Sequence, residues 1–355
     1  MTTLRRRVAA LAAAATLALA ALSACGSGEV ASIGEGRAAT VRLGYFANVT
    51  HAAAIVGVDN GLIKKELGDT ALETTTFNAG PAAVEALFSG SLDAAYIGPN
   101  PAINAFAKSN GEAIRIIAGA TSGGAQLIVS QDIDEPADLA GKTLATPSLG
   151  NTQDVALRSW LKDQGFETNK DGTGDVNITP TENAQTLTEF QAGRIDGAWV
   201  PEPWASRMVL EADGKVLVDE KDLWPNGEFV TTHLIVRTEF LEQFPETVEA
   251  LLRGHVAAVA FAQDDANDAK TVVNDGIEKL TSKRLPDEVI DRAWPNLAIT
   301  NDPIASSLQK SADDAAEVGL SDEVDLQGIY DLSLLNSILK QDGEEPVSSA
   351  GLGKE

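Results

Sequence analysis

The sequence predicts an α/β protein built on two open, largely parallel sheets. Three observations carry this. Strand-type and helix-type periodicities alternate from Val41 onward. The rhythm restarts after Pro136. An eight-residue pattern also occurs twice, as Gly90-Ser91-Leu92-Asp93-Ala94-Ala95-Tyr96-Ile97 and as Gly193-Arg194-Ile195-Asp196-Gly197-Ala198-Trp199-Val200. Each copy follows a helical segment and runs into a Pro-bearing turn that opens another helix. Two such halves place two sets of strand ends around one cleft, because open α/β sheets bind ligands beyond the carboxyl ends of their strands.

The elements follow in order. Val41–Phe46 alternates as a strand, and Ala52–Leu67 has helical spacing. Thr74–Phe77 is a second strand. A helix starts at Gly80-Pro81, where proline suits the first turn, and stops at Gly90. Asp93–Ile97 is a strand, and a helix runs from Asn100-Pro101 to Asn110-Gly111. Ile114–Ala118 and Leu127–Val129 are short strands. After Pro136 come a strand at Leu144–Thr146, a helix from Asp154 to Lys162, and a strand at Val176–Thr179. A helix to Ala192, a strand at Ile195–Val200 and a helix from Pro203 follow. Phe229–Val236 is again strand-like, and the chain from Pro245 is almost entirely helical. The tail, residues 341–355, is expected to be disordered.

The N-terminus carries an export signal. Arg5, Arg6 and Arg7 precede an apolar run from Val8 to Leu22, and small residues lead to Cys25. Leu22-Ser23-Ala24-Cys25 resembles a bacterial lipobox, in which the cysteine thiol receives the lipid. Residues 1–24 are therefore read as a signal peptide, Cys25 as the lipidation site, and residues 25–37 as a flexible tether. Cys25 is the sole cysteine, so no intramolecular disulfide forms.

Charge narrows the function. The first 24 residues carry three of the 27 basic residues and none of the 52 acidic ones, so the remainder has 24 − 52 = −28 formal charges. That excludes general nucleic-acid binding, which needs a basic face. The histidines His51, His233 and His255 lie far apart, with no His-Glu-x-x-His motif and no Gly-x-Ser-x-Gly elbow. These absences argue against an exported enzyme. No cofactor or metal is expected.

Three turns present free backbone N–H groups and are candidate ligand loops: Gly98-Pro99-Asn100-Pro101, with Asn100 as cap; Thr121-Ser122-Gly123-Gly124; and Gly150-Asn151-Thr152-Gln153, with Asn151 as cap and Asp154 at the capping-box position. Helix N-termini bind anions without a Lys or Arg. Asn48, Thr50 and His51 follow the first strand, where ligand loops sit. Trp199 ends a strand and is placed to wall a cleft. Glu202, between Pro201 and Pro203, either holds an amine or hydroxyl or caps the next helix.

Several strings resemble the substrate-binding proteins of ATP-binding-cassette (ABC) importers for nitrate, taurine and alkanesulfonates. They are Val41–Tyr45, Asn78-Ala79-Gly80-Pro81 with Glu85-Ala86-Leu87, Ser89–Asp93, Asp138–Lys142 and Trp199–Trp204. The similarity spans roughly residues 40–260. It implies the type II periplasmic-binding-protein fold: two doubly wound lobes joined by two hinge strands, with lobe 1 at 38–128 and 232–340 and lobe 2 at 129–231. It maps ligand loops onto Asn48–His51, Gly98–Asn100, Thr121-Ser122, Asn151–Gln153 and Trp199–Glu202. The implied partners are a small ligand, a permease with a cytoplasmic ATPase, and the outer face of the cell membrane through the lipid on Cys25. A monomer is expected. The absence of a clear Lys counterpart favours a sulfonate held by neutral donors, with Glu202 available for the ammonium of a taurine-like zwitterion. Nitrate, bicarbonate and a pyrimidine precursor of thiamine stacked on Trp199 are the alternative ligands.

Overall fold

In the computed structural model, which describes residues 31–355, the strands sort into two main sheets with helices around them. The expected signal peptide and the expected lipidation site, Cys25, lie outside the described residues. In chain order the strands of the first part are β1 (Ser32–Gly34), β2 (Arg37–Ala38), β3 (Thr40–Phe46), β4 (Ala71–Phe77), β5 (Ala94–Ile97) and β6 (Ile114–Gly123). The middle part supplies β7 (Ala125–Val129), β8 (Thr143–Thr146), β9 (Asn177–Pro180), β10 (Gly197–Pro201) and β11 (Lys215–Asp219). Then come β12 (Val230–Arg237), β13 (Leu297–Ile299), β14 (Tyr330–Asp331) and β15 (Gly353–Lys354).

The helices that matter for the site are α1 (Ala52–Asp59), α2 (Leu62–Leu67), α3 (Gly80–Phe88), α4 (Pro99–Lys108), α5 (Thr152–Asp163), α6 (Asn183–Gln191) and α7 (Trp204–Ala212). The C-terminal part adds α8 (Thr238–Gln243), α9 (Pro245–Asp264), α10 (Ala266–Thr281), α11 (Asp287–Ala293), α12 (Ser306–Glu317) and α13 (Ser333–Asp342).

One sheet has the order β15-β14-β6-β12-β5-β3-β4, with β13 added on β6; the other has the order β11-β7-β10-β8-β9. The repeated motif occupies matching places in them. β5 pairs parallel with β3 and antiparallel with β12; β10 pairs parallel with β8 and antiparallel with β7. The aspartate of each copy explains why this residue recurs. Asp93 accepts from the backbone N–H of Arg42 at 2.9 Å, and Asp196 accepts from that of Thr143 at 2.8 Å. Each carboxylate thus bonds the neighbouring parallel strand where the strand begins. The Arg42 guanidinium also clasps the fully buried Asp93, and the Lys142 ammonium lies 3.5 Å from Asp196. A buried carboxylate needs such partners, so the motif holds register rather than ligand.

Four expectations are corrected here. The helix from Ala52 to Leu67 is two helices, α1 and α2, because Gly61 turns left-handed (φ 68°) between them. Thr121-Ser122-Gly123 is the end of β6 rather than a turn, since it pairs with β12 and β13. Part of the expected tether is ordered: β1 and β2 pair, and the Ala38 N–H donates to Thr247 Oγ1 at 2.9 Å. The tail is not disordered. β15 pairs with β14, and Glu355 accepts from the Ser349 N–H and hydroxyl. Short strands β1, β2, β11, β13, β14 and β15 are additional; β11 forms one edge of the five-stranded sheet, and β13 pairs with β6. Sheet membership also changes at Gly124, since all of β7 belongs to the five-stranded sheet.

Candidate functional site

A cavity of about 40 Å³ lies where the carboxyl ends of β3, β4 and β5 face those of β8, β9 and β10. The loops after these strands supply its wall. Phe46, Asn48, Thr50 and His51 follow β3; Asn78 and Gly80 follow β4; Gly98 follows β5. From the other sheet come Asn151, Thr152 and Gln153 after β8, Asn183 after β9, and Pro201 at the end of β10. Thr231 and Thr232 of β12 complete it. The N-terminal turns of α3, α4, α5 and α6 therefore converge on one space. α5 and α6 contribute partly positive N–H groups, prolines remove some of those of α3 (Pro81) and α4 (Pro99 and Pro101), and no Lys, Arg, Asp or Glu lines the cavity.

The α5 terminus is built as the sequence predicts. Asn151 Oδ1 accepts from the Asp154 N–H at 3.0 Å, and Asp154 in return accepts from the Gly150 N–H at 2.9 Å. Fully buried Asp154 is further held by Thr146 and by Arg158, whose side chain is also fully buried. This anchoring leaves the Thr152 hydroxyl at the cavity wall. Its Oγ1 is buried with no hydrogen-bond partner among the described residues, and so is Asn183 Oδ1. An unpaired buried polar atom costs about 1–3 kcal/mol, which a bound ligand recovers. An amide flip interchanges Oδ1 and Nδ2, so Asn183 serves an anion or a donor alike.

Close approach shapes the cavity. A Cβ on Gly98 would stand 2.5 Å from Thr152 Oγ1, and a Cβ on Gly80 would stand 2.3 Å from Pro101 Cγ. At Gly80 the rigid Pro101 ring admits only glycine, whereas at Gly98 a Cβ would displace the Thr152 hydroxyl. His51 is 3% exposed, and burial pushes its pKa down to about 3. Its Nδ1 accepts from the Phe46 N–H at 3.4 Å, which leaves the ring proton on Nε2. His51 is thus a neutral donor at neutral pH. Thr231 and Thr232 spend their hydroxyls on the carbonyls of Gly123 and Thr50.

Of the residues expected at the site, Asn48, Thr50, His51, Gly98, Asn151, Thr152 and Gln153 meet around this cavity. Five do not. Asn100 is not the cap of α4, which is Gly98; its amide is buried and donates to the Ser311 carbonyl at 2.9 Å. Thr121 is fully buried in β6 and donates to the Thr50 carbonyl at 2.7 Å, supporting the loop from behind. Ser122 lines a separate cavity with Gly123 and Leu297. Trp199 walls nothing: it is fully buried beside Trp160, and its Nε1 donates to Glu220 at 2.7 Å. Its ring packs with Leu127, Leu144, Leu157 and Trp160 on one face of the sheet, below the strand ends that border the cavity.

Glu202 is fully buried and bonded within the protein. It accepts from the Ser206 N–H and hydroxyl at 3.0 Å each and from Asn296 at 2.7 Å, with Arg292 at 3.4 Å. Burial raises its pKa, while Asn296 and Ser206 hold it down. It braces the start of α7 and has no oxygen to spare for a ligand ammonium.

Sequence reasoning missed Asn78 and Asn183 as wall residues. Asn78 stood in a string recognised only as a family feature. Asn183 obeys the rule used elsewhere, since Thr181-Glu182-Asn183 leaves a predicted strand and opens a predicted helix.

Two open sheets thus set opposed helix starts around a cavity with no charged lining, in an α/β fold. The chain belongs to the NMT1-like family, whose profile matches residues 34–274. It is 30% identical over 207 residues to the taurine-binding periplasmic protein of Escherichia coli (strain K12), covering 58% of this chain and 61% of that protein. The match thus spans less than two thirds of that relative's length. Among solved structures, the alkanesulfonate-binding protein from Xanthomonas axonopodis pv. citri bound to MOPS superposes with a TM-score of 0.66 at 20% identity. That likeness covers 80% of this chain and 94% of that one. The periplasmic nitrate-binding protein from Synechocystis PCC 6803 gives 0.67 at 19% identity, covering 80% and 82%. These likenesses establish the two-lobed binding-protein fold.

Proposed function

We propose that this protein is a non-catalytic, extracytoplasmic solute-binding lipoprotein that delivers a small organosulfonate to an ABC import permease with a cytoplasmic ATPase. The observation that carries the reading is the neutral cavity itself: four helix N-termini, with Thr152 Oγ1 and Asn183 Oδ1 buried and unpartnered. A sulfonate offers three acceptor oxygens and one delocalised charge, which suits several weak donors better than one cation. The E. coli taurine-binding relative supports the same class. A taurine ammonium would meet Asn183 Oδ1, since Glu202 is excluded. The cavity is small beside the roughly 150 Å³ that an engineered apolar site uses for benzene, which speaks against a pyrimidine ring inside it.

Lipidation at Cys25 would confine the protein at the outer face of the membrane, where tethering raises its effective concentration near the permease. None of the described helices is long and apolar enough to cross a membrane. Cys25→Ala should release the protein into the soluble fraction without altering its ligand affinity; a fall in affinity would contradict the anchor role. Isothermal titration with methanesulfonate, taurine and nitrate tests the ligand class. Heat with the sulfonates and weaker heat with nitrate is expected, and silence with every sulfonate refutes the proposal.

A further inference from the structure

No charged side chain lines the cavity, yet a complete ion pair begins one residue beyond its wall. Asp154 stands in the first turn of α5, next to the cavity-lining Gln153. Its Oδ2 accepts from the Gly150 N–H and its Oδ1 from the Thr146 hydroxyl, both at 2.9 Å. An acid in the first turn favours the helix. It opposes an anion that shares the same terminus, because like charges then lie close together. Arg158, one turn further on, carries the opposite charge. Its Nε donates to Asp154 Oδ1 at 3.2 Å, and both side chains are fully excluded from solvent. Its Nη1 donates to the Asn169 carbonyl at 2.6 Å, and its Nη2 is buried with no hydrogen-bond partner among the described residues. Asp171, in the loop after α5, also feels this guanidinium, but it is exposed and screened by water. A buried pair with an unspent donor is a poor stabiliser, since apolar residues of similar volume often serve as well or better. Stability therefore does not account for it.

We infer that Arg158 is a positioning residue for the ligand: acting through Asp154, its buried charge cancels the carboxylate beside the cavity and keeps the α5 N-terminus open to an anion. This rests on the anion-binding part of the reading above and holds for a sulfonate or a nitrate alike. Asp154 builds the terminus, and Arg158 removes the electrostatic penalty that comes with it. Arg158 lies six residues past Thr152, about 9 Å along the helix axis. At an effective dielectric of about 20, one unit charge about 10 Å from an anion changes its affinity about 10- to 20-fold.

Calorimetric titration with methanesulfonate and with nitrate, on the wild type and three variants, tests the assignment. Arg158→Met leaves the carboxylate unopposed and should weaken both anions about 10- to 20-fold. Asp154→Asn leaves the guanidinium unopposed and should tighten them. The double variant, Asp154→Asn with Arg158→Met, should return to within about threefold of wild type. Both single variants break a buried pair and should lower stability in urea melts. Opposite shifts in affinity from two destabilising changes are a signature that a purely structural role does not produce. Affinity lost in both single variants, or unchanged in Arg158→Met, overturns the assignment. Should Arg158→Met fail to fold, Asp154→Asn is compared with the double variant, and equal affinities overturn it. If nitrate binds and methanesulfonate does not, the sulfonate reading fails, and the nitrate titrations decide the role of Arg158. If the wild type binds neither anion, the anion reading fails and takes the assignment with it.

Discussion

Thr152→Val separates ligand binding from stability, because the two effects have opposite signs. The substitution keeps the shape of the side chain and removes one hydroxyl. In the structure Thr152 Oγ1 is buried and unpartnered, so the folded protein carries the cost of its desolvation. Removing it relieves about 1–3 kcal/mol, less a few tenths for valine in the first turn of a helix. Unfolding by urea should therefore show a stability unchanged or raised by about 1–2 kcal/mol. Binding should move the other way. A hydrogen bond to a charged ligand contributes about 1.5–3 kcal/mol, so methanesulfonate affinity should fall about 10- to 150-fold. Calorimetry and urea melts on one preparation supply both numbers. An affinity within twofold of wild type, or a clear loss of stability, would refute the reasoning that this hydroxyl is held for a ligand.

Other predictions follow from the same geometry. Gly98→Ala places a methyl 2.5 Å from Thr152 Oγ1 at a backbone φ of −70° that alanine accepts, so the threonine must turn away. Titration should show affinity about tenfold weaker, with thermal stability changed by less than about 1 kcal/mol. Trp199→Ala should cost about 3–5 kcal/mol in chemical denaturation, because the ring fills the core and leaves Glu220 without its donor. Ligand affinity of the folded fraction should stay near wild type.

Acid sensitivity has a definite sign. Burial depresses His51 to about 3 and His233 and His255 to about 4, below an unfolded value near 6.5. Unfolding therefore takes up protons as pH falls through 6.5, and these histidines destabilise the fold increasingly down to about pH 4. Glu220 opposes them: burial raises it to about 7, so the folded state keeps a proton that the unfolded state releases above about 4.5. The raised Glu202 acts in the same sense as Glu220. Three histidines against Glu220 leave about two protons, or about 2.7 kcal/mol per pH unit, a slope that Glu202 lessens. Melting temperature should fall steadily from pH 6.5 to 5; a flat profile would show that the histidines are not buried neutral.

Much of this protein is legible in its sequence, for local reasons. Alternation in Val41–Phe46, proline at the start of α3, the cap at Asn151 and the repeated Gly-x-aliphatic-Asp pattern each depend on neighbours within a few residues. The rule that ligand loops sit at strand ends picks out Asn48, Thr50, His51, Gly98 and Asn151–Gln153, which line the cavity. Where a string named a residue type rather than its depth, the sequence misled. Trp199 and Pro201 adjoin Glu202, yet only Pro201 lines the cavity. Alternation puts both on the same face, but Trp199 lies two residues deeper in the strand, where its ring packs beside Trp160 in the core. The partners of Glu202, Arg292 and Asn296, arrive from about 90 residues away.

The sequence by itself determined the α/β class, the two halves, the strongly acidic balance, and most of the loops that meet at the cleft. These follow from periodicity, capping and composition. Only the tertiary structure decided which polar atoms are spent within the protein and which are left for a ligand. Asn100, Thr121 and Glu202 have partners brought by distant segments, whereas Thr152 Oγ1 and Asn183 Oδ1 have none among the described residues. A hydrogen bond depends on where two chain segments cross, and no local pattern encodes that crossing.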